Sequence, residues 1–105
     1  MLKSGIDLVY IPKLSGLLQD KHFLKKVFHE NERNPCTPEH LAGIFAAKEA
    51  FFKALNQNPK WLNIEIKKEN GAPYLEYSKE YEIKSSSISI SHEKDYAVAQ
   101  VILEL

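Results

Sequence analysis

The sequence predicts an α+β fold in which a mainly antiparallel sheet packs against one long helix. Three observations predict it. The chain opens on a strand-like run, "KSGIDLVYI". A strongly helical segment, "PEHLAGIFAAKEAFFKALN", occupies the middle. Short alternating runs joined by turn residues fill the remainder. Strand, helices, then consecutive strands with short connections favour antiparallel pairing, since parallel strands need long crossovers.

Residues 3–11 form the first strand, and Pro12 ends it because proline cannot donate to a ladder. Within it Asp7 shares a face with Val9 and Ile11, while Ile6, Leu8 and Tyr10 point the other way. Both faces are apolar, so the Asp7 carboxylate is at least partly desolvated. It then needs a cation, a hydrogen-bond donor or a metal. Leu14, Leu17, Leu18, Phe23, Leu24, Val27 and Phe28 recur at helical spacing, with Gly16 and "QDK" dividing the segment into two pieces. "NERNPCTPEH" reads as a loop. Thr37 caps the next helix, with Pro38 at its first position, and this helix runs to about Asn56.

"LNIEIKK" alternates as a short strand, and "ENGAPYLEY" places Asn-Gly between two strand-like runs, a hairpin signal. "SSSISISH" alternates strictly, with Ile88, Ile90 and His92 on one face and Ser87, Ser89 and Ser91 on the other. "HEKD" then turns the chain into the last strand, "YAVAQVILEL".

A chain of 105 residues with 44% hydrophobic content makes one domain, residues 1–105, with a real core. A domain this small gains from association with copies of itself. Fourteen basic residues balance fourteen acidic ones, which argues against a general nucleic-acid binder. The charge is unevenly spread. Lys13, Lys21, Lys25 and Lys26 cluster with only Asp20 against them, as a solvated helix face or as a docking surface for an acidic partner. One cysteine, Cys36, forbids an intrachain disulfide and fits a reducing compartment. No stretch approaches the roughly 20 apolar residues of a membrane span, and no signal-like segment opens the chain, so a soluble cytoplasmic protein is expected.

The long helix carries the chemistry. At about 100° per residue, Leu41, Ile44, Phe45, Phe52 and Leu55 form one stripe, with Lys48 in its middle. The Lys48 stem can pack there, but its ammonium must find a partner or reach an opening. Ala46, Ala50 and Ala54 make another flank small enough for close approach of backbone or ligand. Glu49 and Lys53 read either as an exposed i,i+4 pair or, with Asp7, as parts of a phosphate site. In such a site two carboxylates hold Mg²⁺ and a lysine meets phosphate as a point charge. Zinc is disfavoured by the scattered His and Cys, and there is no nucleophile elbow, P-loop or dinucleotide fingerprint.

Three segments together resemble a known family. "GIDLVYI", "FAAKEAFFKAL" and "SISISHEKDYAVAQVIL", in this order over nearly the whole chain, are similar to holo-[acyl-carrier-protein] synthase, the short bacterial 4'-phosphopantetheinyl transferase. The resemblance implies an enzyme that moves the 4'-phosphopantetheine arm of coenzyme A to a serine of acyl carrier protein and releases adenosine 3',5'-bisphosphate. It implies Asp7 and Glu49 as magnesium ligands, Lys53 approaching the phosphates, and His92 near the pyrophosphate, these four making the catalytic set. It implies coenzyme A contacts at Lys48, Lys53, Gly71, Pro73, Ser91 and His92. It also implies a homotrimer whose sites lie between subunits, the metal helix from one and the Ser-His strand from its neighbour. Acidic carrier protein would dock on Lys13, Lys21, Lys25 and Lys26, with Phe23 or Phe28 as apolar anchor.

Two positions depart from the family pattern. Ile44 stands where a basic residue often precedes the aromatic, and Gly71-Ala72-Pro73 replaces Gly-Lys-Pro. Both remove positive charge from the side expected to face coenzyme A. They motivate the alternative of a non-catalytic relative that binds coenzyme A or the carrier, and beyond it a trimeric scaffold in which Asp7 and Glu49 are only structurally paired.

Overall fold

The computed structural model describes residues 1–105. Strand β1 (Leu2–Tyr10) leads into a short helix α1 (Ile11–Leu14). A 3-10 turn over Leu17–Gln19 separates it from α2 (Lys21–Val27). A second 3-10 turn, Glu30–Arg33, precedes the long helix α3 (Pro38–Leu55). Four strands follow: β2 (Ile64–Glu69), β3 (Ala72–Tyr77), β4 (Ser85–Glu93) and β5 (Tyr96–Glu104). All pairing is antiparallel, in a three-stranded sheet ordered β1-β5-β4 and a separate β2-β3 hairpin. The expected α+β class is the class observed.

Local differences from the sequence reading have physical causes. The first strand stops at Tyr10, one residue early, because Pro12 sits in the first turn of α1 and pre-sets helical geometry. The expected loop after α2 contains the Glu30–Arg33 turn, which the Glu32 side chain fastens by accepting from the His29 amide at 2.7 Å. Other signals read as expected. Thr37 accepts from the His40 amide, and Asn56 closes α3 in the left-handed region. Asn70 and Gly71, both at positive φ, make the β2-β3 turn, as a type I′ hairpin requires.

Helix α3 crosses one face of the sheet diagonally. Ala97, Ala99, Val101 and Leu103 of β5 lie buried beneath it, as do Ala46, Ala47 and Ala50 of the helix itself. Small residues on both surfaces bring the backbones close. The limit is reached at Gly5 of β1, where an added Cβ would lie 1.9 Å from the Ala50 carbonyl oxygen and 2.9 Å from the Ala54 amide nitrogen. At the other end of the crossing, Gly43 makes room for Ile90 and His92 of β4. The opposite sheet face is bare: Ile6 and Leu8 are 61% and 64% exposed, and Tyr10, Tyr96 and Ile102 are exposed beside them.

Substitution of Gly5 by Ala drives backbone into backbone, so an overpacking loss of about 1–3 kcal/mol is expected. Gly16→Ala is the control, since nothing lies within 4 Å of its added Cβ; it should change stability by less than about 0.5 kcal/mol. Urea unfolding of both variants checks this, and equal midpoints would contradict the close contact.

Candidate active site

The alternation of β1 turns Gly5, Asp7 and Val9 toward α3. Because Gly5 lets the strand touch the helix, Asp7 comes to rest beside the turn that carries Glu49 and Lys53. The Lys53 ammonium donates to Asp7 Oδ1 at 2.9 Å and to the Ile6 carbonyl at 3.2 Å. The Asp7 side chain is 15% exposed and that of Lys53 52% exposed, so a sheltered carboxylate is met by a lysine reaching in from solvent. This is the compensation that Asp7 requires. It also shows that Lys53 turns to the strand and does not form the local pair with Glu49.

Glu49 remains without an ion-pair partner within 4.0 Å. Burial pushes its carboxyl up from the ordinary 4.5, the Asp7 charge pushes the same way, and Lys53 opposes. Two carboxylates and one lysine thus form a half-buried group in which negative charge is under-compensated. No cluster of three or more His, Cys, Asp or Glu side chains is placed to hold a metal ion on its own.

Lys48, one residue before Glu49, lies elsewhere. Its ammonium is fully buried, 2.7 Å from Glu32 Oε1, and donates to the carbonyls of Val27 at 2.8 Å and Trp61 at 2.9 Å. All three donors are used. Burial holds its pKa below the ordinary value, with Glu32 opposing. The expected coenzyme A contact at Lys48 is therefore corrected: the group is sealed in the core and cannot touch a ligand.

A cavity of about 550 Å³ opens on the other side of α3, within the range of about 300–1,000 Å³ common for small-ligand sites. Its walls come from the 31–34 turn, from His40, Gly43 and Ile44 of α3, and from Glu65 to Lys68 of β2. Gly71, Pro73 and Tyr74 of the hairpin and Ile90 and His92 of β4 complete it. Gly71, Pro73 and His92 were expected at a ligand and are gathered here. Ser91 points to the bare sheet face and is not in the wall, so a single chain does not place it as expected. His92 Nε2 lies 2.8 Å from the Glu39 carbonyl oxygen. A carbonyl only accepts, so Nε2 carries the proton and Nδ1 is the nitrogen left for a ligand.

Sequence reasoning missed Lys67, Lys68, His40 and Tyr74 as wall residues. For Lys67, Lys68 and Tyr74 the one signal was their neighbourhood to the Asn-Gly turn, and for His40 there was none. Lys68 is exposed, and Lys67 pairs with Glu76 at 3.0 Å. These two lysines bring cationic charge to a wall where Ile44 supplies none.

Within one chain the cavity and the carboxylates are apart. Strand β5 lies between β1 and β4, pairing Asp7 with Ala99 and Ala99 with Ile90. Two strand spacings, roughly 10 Å, therefore separate the strand of Asp7 from that of His92. Lys13, Lys21, Lys25 and Lys26 are all exposed, on α1 and α2. Asp20 caps α2 by accepting from the His22 and Phe23 amides. Of the two expected anchors, Phe28 is a core residue, packed edge-on to the half-buried Phe23. Leu17, exposed near the lysines, was not foreseen.

The family model described as the 4'-phosphopantetheinyl transferase superfamily matches residues 3–101. A holo-[acyl-carrier-protein] synthase of Campylobacter hominis is 40% identical over 120 residues, covering 96% of this chain and 96% of that relative. The chain belongs to the holo-[acyl-carrier-protein] synthase family. A Bacillus cereus member of this synthase family is likewise 40% identical, covering 95% of this chain and 92% of its own. Two solved synthase structures share the fold. The Helicobacter pylori holo-[acyl-carrier-protein] synthase in complex with coenzyme A superposes with TM-score 0.89 at 34% identity, covering 96% of this chain and 99% of that one. The Bacillus anthracis synthase in complex with CoA (3',5'-ADP) gives TM-score 0.85 at 36% identity, covering 97% and 95%.

The raised Glu49 pKa makes a signed prediction. A carboxyl whose folded pKa lies above its unfolded one contributes stability that is present at low pH and lost as pH rises from about 4.5 through the raised value. Glu49→Gln removes the ionised form. In chelator, its melting temperature should exceed that of the unmodified protein at pH 8, and the gap should close near pH 4. A gap independent of pH would show that Glu49 is not destabilised by its surroundings.

Proposed function

We propose that this protein transfers the 4'-phosphopantetheine arm of coenzyme A to a serine hydroxyl of apo-acyl carrier protein, releasing adenosine 3',5'-bisphosphate. One observation carries the reading: in a chain of this family, Asp7 and Glu49 meet beside Lys53 with carboxylate charge in excess. The donor set is oxygen only, which suits a hard cation. Mg²⁺ is commonly held by one or two carboxylates, with substrate phosphates and water completing its shell. When bound, Mg²⁺ would polarise the diphosphate and offset charge on the leaving phosphate.

The chain's own residues do the rest. Asp7 and Glu49 would hold the cation. Lys53 is anchored at Asp7 yet half-exposed, so its ammonium can turn to a phosphate oxygen as a point charge. His92 offers Nδ1 at the cavity wall, and Lys67 and Lys68 add positive charge where the substrate's phosphates are expected. Phosphoryl transfer needs positioning and charge neutralisation more than covalent help. The attacking hydroxyl belongs to the carrier, in keeping with a site that offers no serine or cysteine nucleophile.

Three copies are proposed to assemble through the bare sheet face, so that His92 of one subunit meets the carboxylates of the next. Its support is the exposed row Ile6, Leu8, Tyr10, Tyr96 and Ile102, together with the separation of the two halves in one chain. Lys13, Lys21, Lys25 and Lys26, with Leu17, form the surface proposed for an acidic carrier protein. No helix is long and apolar enough to cross a membrane, and the free, exposed Cys36 suits the reducing cytoplasm we assign.

The deciding experiment mixes the protein with apo-carrier protein, coenzyme A and Mg²⁺ and weighs the carrier by mass spectrometry. The carrier should gain the mass of the arm, and Asp7→Ala should abolish the gain while the variant keeps its fold. No gain with any divalent ion would leave binding without turnover. Light scattering tests the assembly: the mass should be three times that of one chain, and Leu8→Glu should reduce it to one chain and stop transfer. A Leu8→Glu monomer with normal turnover would remove the shared site.

A further inference from the structure

The buried Glu32–Lys48 pair makes no contact with Asp7, Glu49 or Lys53, yet it uses more hydrogen-bonding capacity than any other side-chain contact in the protein. Besides Lys48, Glu32 Oε1 accepts from the His29 amide at 2.7 Å, and Oε2 accepts from the Ile66 amide at 2.7 Å. The Glu32 carbonyl oxygen accepts from His40 Nε2 at 2.8 Å. Lys48 in turn holds the carbonyls that end α2 and begin the turn before β2. One ion pair therefore joins α2, the 30–33 turn, β2 and α3.

Three of these elements, the 30–33 turn, β2 and α3, also wall the cavity. Glu32 is itself a wall residue, Asn31 and Asn34 flank it, and Lys67 and Lys68 follow Ile66 directly on β2. Replacing a buried ion pair by well-packed apolar side chains is often neutral or stabilising. Net stability is thus a poor reason for this one. Direction is a better reason: apolar contact would hold the elements together, but only fixed donors and acceptors set their angle and height.

We propose that Glu32 and Lys48 are positioning residues for the substrate pocket. They set where the 31–34 turn and Lys67–Lys68 stand relative to α3, and so govern affinity for the phosphate-bearing nucleotide substrate rather than the rate of transfer. This rests on the reading of the cavity as the coenzyme A site.

The test compares three variants with the unmodified protein by thermal unfolding, steady-state transfer and calorimetric binding of coenzyme A. Lys48→Met leaves a buried, unpaired Glu32 and should melt far lower. The double variant Glu32→Gln/Lys48→Met has no buried charge and should recover most of that loss. Its KM and Kd for coenzyme A should still rise about tenfold, with kcat within about twofold. A double variant that is stable and binds coenzyme A normally would reduce the pair to a core contact. A fall in kcat at unchanged KM would overturn the assignment to the pocket. Should the double variant not fold, Glu32→Gln alone is read in the same way, and unchanged affinity overturns the proposal. Calorimetry separates this from the proposed activity: if the unmodified protein binds coenzyme A but transfers nothing, that activity fails while the positioning role is still read from Kd.

Discussion

The contact of β1 with α3 at Gly5 sets the geometry of the carboxylate site. A strand and a helix normally keep a side chain's thickness between their backbones. Here the strand has no Cβ and the helix presents Ala50 and Ala54, so the two main chains touch. Asp7, two residues on, is thereby held at the level of Glu49 and Lys53. The three charged groups are brought together by an apolar fit, and the electrostatic strain between the carboxylates is carried by the packing around them.

Helix α3 then divides the molecule's polar chemistry into separate compartments. Its residues are buried along most of its length, so every polar side chain on it must be paired, shielded or functional. Lys48 is paired inside the core. Glu49 and Lys53 emerge on the β1 side. Gly43 and His40 open the cavity on the other side. Adjacent residues 48 and 49 thus belong to different environments, a consequence of the roughly 100° step of the helix.

Much of this was legible in the sequence, for reasons that particular residues show. The fold class followed from a strand, a long capped helix and closely spaced alternating runs. Asp7 in an apolar strand and Lys48 in an apolar stripe were each visible as a local conflict, and each conflict marked a real structural device. The partner was not visible in either case. Glu32 lies sixteen residues before Lys48 in a segment that reads as a loop, and no local pattern encodes a tertiary ion pair. Lys53 could equally have paired with Glu49, and only the proximity of the first strand decides for Asp7. The cavity wall on β2 escaped because an alternating Ile-Glu-Ile-Lys run reports which face is buried and not what the other face meets.

The two-residue period of β1 has a further consequence. Odd positions 5, 7 and 9 build the acidic site, while even positions 6, 8 and 10 make the bare face. Inserting or deleting one residue in the middle of this strand would exchange the two roles from that point onward, placing leucine where the carboxylate belongs and aspartate on the outside. The length of the strand is therefore as constrained as the missing side chain at Gly5, whereas the turns that join the later strands carry no such parity.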